Sequence, residues 1–138
     1  MSIKLEWLDQ EKTLIYAKLE GRTEHEDFVA AEREFRAMVM STPHVVDAIY
    51  DARSQVAFSP RMLETAFYLH RNPYPRLRFV VFVGKNLAWE LFLTFVRQFG
   101  KMPYRFTSAG DLDEAHALIR RVRQEALLTP PPSTAHWN

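Results

Sequence analysis

The chain contains no cysteine, which removes disulfides, thiolate nucleophiles and cysteine-ligated metals together and fits a reducing compartment. Glycine is scarce, four in 138 residues with none in a triad, so there is no glycine-rich phosphate loop. Net charge is almost absent: 18 basic and 17 acidic residues leave +1, and the basic side chains are dispersed, so no overall field draws the chain to nucleic acid. No apolar run approaches the ~18 residues that span a bilayer. Met1 to Glu6 holds no apolar leader core, so a cytoplasmic domain is expected. The five histidines, His25, His44, His70, His116 and His136, are scattered, and no pair has metal-ligand spacing beside a carboxylate. No metal, cofactor or catalytic constellation is expected, so the chain reads as a non-enzyme.

The remaining composition is that of an ordinary globular protein, 47% hydrophobic and 25% charged, in a length that suits one domain with a real core. Ile3, Leu5 and Trp7 alternate with Lys4 and Glu6, the period of a half-buried strand. After the polar turn Asp9 to Lys12, a more apolar run from Leu14 to Leu19 completes an antiparallel hairpin that stops at Gly21. Thr23, with Glu26 three residues on, predicts a capping box opening the first helix. Phe28, Ala31, Phe35 and Met38 form its stripe, with Glu24, Glu32, Glu34 and Arg36 off it, and Ser41-Thr42-Pro43 ends it.

Val45 to Asp51 predicts a buried strand, Ala52 to Phe58 a polar loop at its carboxyl end, and Ser59-Pro60 the start of a second helix. Leu77 to Gly84 is the strongest strand, apolar almost throughout, as expected where both faces are covered. Asn86 can cap a third helix reaching Gly100, and Met102 to Thr107 predicts a short final strand. Asp111 with Glu114 predicts a capping box for a last helix whose stripe is Leu112, Ala115, Leu118, Ile119 and Val122. Arg120, Arg121 and Arg123 read as its solvated face, and Arg71, Arg76 and Arg78 flank a Pro-Tyr-Pro turn. Residues 129–138 carry three consecutive prolines and read as a flexible tail. The expected fold is a single α/β domain over residues 1–128: a mostly parallel sheet of about five strands, an N-terminal antiparallel hairpin and four helices.

This order, with Leu19-Glu20-Gly21-Arg22-Thr23 ending an early strand, Ala48-Ile49-Tyr50-Asp51, a helix beginning at Ser59, and Phe106-Thr107-Ser108 leading to Asp111-Leu112-Asp113-Glu114-Ala115, resembles the STAS family, the anti-sigma-factor antagonist fold, and its lipid-binding, Sec14-like relatives. The resemblance covers roughly residues 5 to 125 and rests on topology and spacing. It implies that Ser59 occupies the place of the family's phospho-acceptor, which a partner kinase modifies to switch partner binding. The family's signature there is an aspartate, two small residues and a glycine. Phe58-Ser59-Pro60-Arg61 departs from it, which implies a member that keeps the fold without the switch.

Several residues carry competing readings. Ser59 is either a phospho-acceptor at a helix N-terminus or a plain N-cap. Asp51, Arg53 and Ser54 lie past the carboxyl end of a buried strand, where ligands bind in open sheets. They either face such a ligand or hold their own loop, with Asp51 paired to Arg53 or Arg61. The third helix is apolar nearly all round: beyond Ala88, Leu91, Phe92, Phe95 and Phe99 it carries Trp89, Leu93 and Val96. That surplus would be covered by neighbouring helices and the tail, by a second copy in a homodimer, or by an apolar ligand shared with Met62, Phe67 and Tyr68 of the second helix. The expectation is a regulatory or protein-interaction domain, homodimeric through Trp89, Leu93 and Val96, with a protein partner. The alternative is a carrier or sensor of a lipid or other apolar small molecule bound near Met62, Phe67 and Phe92.

Overall fold

The computed structural model describes residues 3–58, 76–84, 90, 94, 97, 98 and 105–128, with only the backbone of 55–58. Five strands form one sheet in the order β1-β2-β3-β4-β5. They are β1 (Ile3–Trp7), β2 (Leu14–Thr23), β3 (Val46–Phe58), β4 (Leu77–Val83) and β5 (Arg105–Ala109). β1 pairs antiparallel with β2, Ile3 opposite Leu19 and Trp7 opposite Ile15, and every later pair is parallel. The hairpin is therefore an antiparallel edge on a parallel sheet, with β2 the more buried of its two strands.

The N-terminal helix (His25–Met40) covers one face of the sheet. Phe28, Phe35 and Val39 pack there on Ile15, Leu19, Ala48, Val80 and Phe82. Burying side chains of that size stabilises the fold by about 1.5–3 kcal/mol each. The C-terminal helix (Leu112–Leu128) covers the other face, setting Ala115, Ile119 and Val122 on Ile49, Phe79, Val81 and Val83. Asp111 caps it as the spacing predicts, accepting from the Glu114 amide at 2.8 Å. Among the described residues no helix is long and apolar enough to cross a membrane.

Several local expectations are corrected. Thr23 is the buried last residue of β2, paired with Phe58, and does not cap the first helix. Glu24 takes that position, and the Asp27 carboxylate accepts its amide at 2.9 Å. Ladder pairing outcompetes capping because Thr23 is fully enclosed. Glu32 is buried, not off the stripe, and Arg36, one turn on, donates to it at 2.9 Å. Ala52 to Phe58 is strand and not loop, because β2 runs on through Glu20 to Thr23 and pairs with it. The final strand is described over Arg105–Ala109, two residues past its predicted end at Thr107, while Met102 to Tyr104 lie outside the described residues. The predicted second helix lies outside the described residues. So does the third, apart from Glu90, Thr94, Arg97 and Gln98, which are helical and exposed. Arg97 stands over the Phe106 ring at 5.3 Å.

The amino ends of the parallel strands are tied by charge. Asp47, buried on β3, accepts a fork from Arg78 at 3.1 and 2.8 Å and a third bond from Arg123 at 2.9 Å. Arg123 also donates to the Thr13 carbonyl and hydroxyl at 3.0 and 3.1 Å, so it does not belong to the solvated face expected of its helix. The β1–β2 turn is fixed by Asp9, which accepts from the Thr13 and Leu14 amides at 2.9 and 3.1 Å and from the Thr13 hydroxyl. Burial would raise the Asp9 pKa, but these bonds, with the Arg123 charge, hold it below the usual carboxylate value. Lys12 in this turn adopts φ 57°, a left-handed conformation that disfavours a Cβ. Arg76, just before β4, donates to the Met40 carbonyl at 3.4 Å, placing a cation at the N-terminal helix's carboxyl end.

Two stability outcomes follow. Asp47→Asn is expected to lower unfolding free energy in urea by about 2–4 kcal/mol, since one partner of a buried ion cluster is lost. Lys12→Gly is expected to raise it by about 0.5–1 kcal/mol through relief of the left-handed backbone.

Candidate functional site

β3 alternates between the two faces of the sheet. Ala48, Tyr50 and Ala52 face the N-terminal helix, and Ile49 packs on the side of the C-terminal helix, the side from which Arg123 reaches Asp47. Asp51 stands opposite Val83, the last residue of β4, so it lies where the sheet begins to narrow. Beyond it the β2–β3 register shifts: two residues on β2, from Lys18 to Glu20, span three on β3, from Asp51 to Ser54. Such a bulge re-aims side chains. Here it accompanies a turn of Arg53 back on to Asp51, its Nε and Nη2 donating to the two carboxylate oxygens at 2.9 Å each and its amide donating at 3.1 Å. Tyr16, on β2, donates its hydroxyl to Asp51 at 2.5 Å.

Asp51 is thus a buried carboxylate, 2% exposed, with four donors. Burial alone would raise its pKa. The Arg53 guanidinium, the Tyr16 hydroxyl and the Arg53 amide outweigh burial and hold it at about 2. Burial, the bond to Asp51 and the carboxylate's charge push the Tyr16 phenol up to about 12. Arg53 is held cationic by the same pairing. At neutral pH the carboxylate is therefore a poor base and the phenol stays protonated, which suits neither general acid–base nor nucleophilic work.

The structure brings Asp51 and Arg53 together and leaves Ser54 exposed opposite Glu20. Asp51 pairs with Arg53, on a bulged strand instead of a loop. Tyr16 was not singled out in the sequence; its signal was a hydroxyl on the neighbouring strand in an otherwise aliphatic run. Ser59, Met62, Phe67, Trp89, Phe92, Leu93 and Val96 lie outside the described residues. Among the described residues no group of three or more His, Asp or Glu could hold a metal ion.

The pH dependence of stability tests this network. A lowered Asp51 pKa adds stability above its unfolded value near ~4, and that stability is lost as pH falls from there towards about 2. A raised Tyr16 pKa adds stability below its unfolded value near ~10, lost as pH rises through about 12. Tyr16→Phe is expected to cost about 1–2 kcal/mol at pH ~7, for loss of a bond to a charged group, and to reduce the alkaline limb. Urea unfolding across pH reads both.

No family model matches the chain, and no curated protein matches it by sequence. Solved structures do. An uncharacterized DUF3478-family protein with a SpoIIAA-like fold from Shewanella loihica PV-4 matches with a TM-score of 0.62 at 17% identity, over 84% of this chain and 90% of that one. The anti-sigma factor antagonist SpoIIAA in its unphosphorylated form matches at 0.55 and 13%, over 86% and 97%. The Bacillus cell fate determinant SpoIIAA in its phosphorylated form matches at 0.54 and 10%, over 84% and 98%. With its antiparallel N-terminal hairpin leading a parallel sheet that carries helices on both faces, this chain has the SpoIIAA-like, or STAS, fold.

Proposed function

We propose that the chain is a non-enzymatic regulatory or protein-interaction domain of the STAS type that works without a phospho-switch at Ser59. The observation that carries this reading is the closure of Asp51, Arg53 and Tyr16 on one another where polar groups at strand ends could otherwise act on a ligand. Fold does not dictate function, so the argument rests on that inert site together with the fold. Phe58-Ser59-Pro60-Arg61 supports the absence of the switch, because it lacks the signature around the acceptor serine. The reading places a homodimer interface on Trp89, Leu93 and Val96, since aromatic residues are enriched in interface cores.

Sedimentation velocity over a concentration series, with native mass spectrometry of the chain as purified, tests this reading. A dimer that Trp89→Glu converts to a folded monomer, judged by unchanged far-ultraviolet circular dichroism, is the expected result. A monomer at every concentration overturns the dimer. An apolar small molecule retained in the native spectrum overturns the interaction reading in favour of a carrier or sensor of lipid or another apolar ligand at Met62, Phe67 and Phe92.

A further inference from the structure

β1 ends the sheet: β2 pairs with one side of it, and among the described residues no strand pairs with the other. The two later crossovers, β3 to β4 and β4 to β5, start and end at least two strands away from it. In an antiparallel ladder, residues alternate between bonding to the partner strand and facing away. The Leu8 amide donates to the Leu14 carbonyl at 2.9 Å, and the β1–β2 register is unbroken from Ile3 to Trp7. Lys4 and Glu6 therefore bond to β2 in phase with Leu8, while Ile3, Leu5 and Trp7 turn their amides and carbonyls outward. An open groove lies beside this edge, with Glu34 of the N-terminal helix on its rim.

The side chains alternate as well. Ile3, Leu5 and Trp7 lie toward the N-terminal helix, where Leu5 and Trp7 are only partly covered. Lys4 and Glu6 are exposed on the opposite face, and neither has an ion-pair partner among the described residues. Lys4 stands opposite Lys18 of β2, a like charge, so an acid on its outer side is favoured. A single charge on an edge strand guards it against pairing with another chain. Here the order is apolar, basic, apolar, acidic, apolar, which is its own complement when read backwards. Antiparallel pairing of two copies about Leu5 sets Lys4 of each against Glu6 of the other, Leu5 against Leu5, and Ile3 against Trp7. The outward backbone groups then meet in phase, Leu5 with Leu5 and Ile3 with Trp7.

We propose that a second copy of this chain pairs with the outer edge of β1, antiparallel about Leu5, and joins two five-stranded sheets into one. The contact is separate in the chain from Trp89, Leu93 and Val96. It therefore takes assembly beyond the dimer proposed above, and it stands whether or not that dimer forms.

A five-residue ladder makes a smaller contact than a standard interface, so it is read at ~1 mM chain. In the full chain the Ile3, Leu5 and Trp7 amides are expected to exchange more slowly at ~1 mM than at ~10 μM, with Lys4 and Glu6 unchanged. Lys4→Glu and Glu6→Lys, both at exposed positions, each set like charges opposite one another and are expected to weaken this association about tenfold. Mixing the two variants in equal amounts is expected to restore the slow exchange, and so is joining both substitutions in one chain. Exchange at the three outward amides that is fast at ~1 mM overturns the proposal. So does slow exchange that does not depend on concentration, which places a segment of the same chain on the edge. Association that neither single substitution weakens, or that the mixture does not restore, also overturns it.

Discussion

One buried carboxylate ties four segments of this fold together. Asp47 on β3 receives Arg78 from β4 and Arg123 from the C-terminal helix, and its own amide donates to Thr13 in the β1–β2 turn at 2.9 Å. An isolated charge in that position would cost several kcal/mol in lost hydration. The two guanidinium groups offset that cost only when β3, β4 and the helix are all in register. The cluster is therefore a geometric specification as much as a source of stability: it sets where β3 starts against the turn and where the C-terminal helix lies on the sheet.

The same strand repeats the device at its far end. Asp47 and Asp51 lie four residues apart, with Ile49 between them in the apolar cluster, and each carboxylate is closed by arginine. The chemical consequence differs at the two ends. At Asp47 the arginines come from distant elements and bind the fold together. At Asp51 the arginine is two residues away, so its role is local: it neutralises a charge that burial would otherwise make costly. A carboxylate held by four donors has little basicity left for a substrate.

Much of the architecture was legible because it rests on local pattern. The alternation of Ile3, Leu5 and Trp7, the unbroken apolar run from Leu77, and Asp111 before Leu112 each record a strand, a doubly covered strand and a cap. Legibility failed where partners are remote. Arg123 reads as solvated because its acceptor lies 76 residues back in the sequence. Arg53, Ser54 and Gln55 read as a loop by composition, yet β2 carries the strand on, pairing Ser54 with Glu20 and Gln55 with Gly21 past the bulge that holds Arg53. Asp47 could have been questioned from the sequence, since a charge inside an apolar strand requires a cation, but nothing in the sequence says which one. Asp51 and Arg53 were legible as a pair because they are neighbours; Tyr16, which completes the group, comes from 35 residues away.

The C-terminal helix covers Ile49, Phe79, Val81 and Val83, and its covering residues come late in the chain. Synthesis runs from the amino end at ~5–20 residues per second, so the strands emerge several seconds before Val122 and Arg123 can reach them. Until then the C-terminal helix cannot cover Ile49, Phe79, Val81 and Val83, and Asp47 waits for its second guanidinium. An apolar β-surface that lacks one of its covers can pair with other unfinished chains, so the last helix to be made is also the one that ends that exposure.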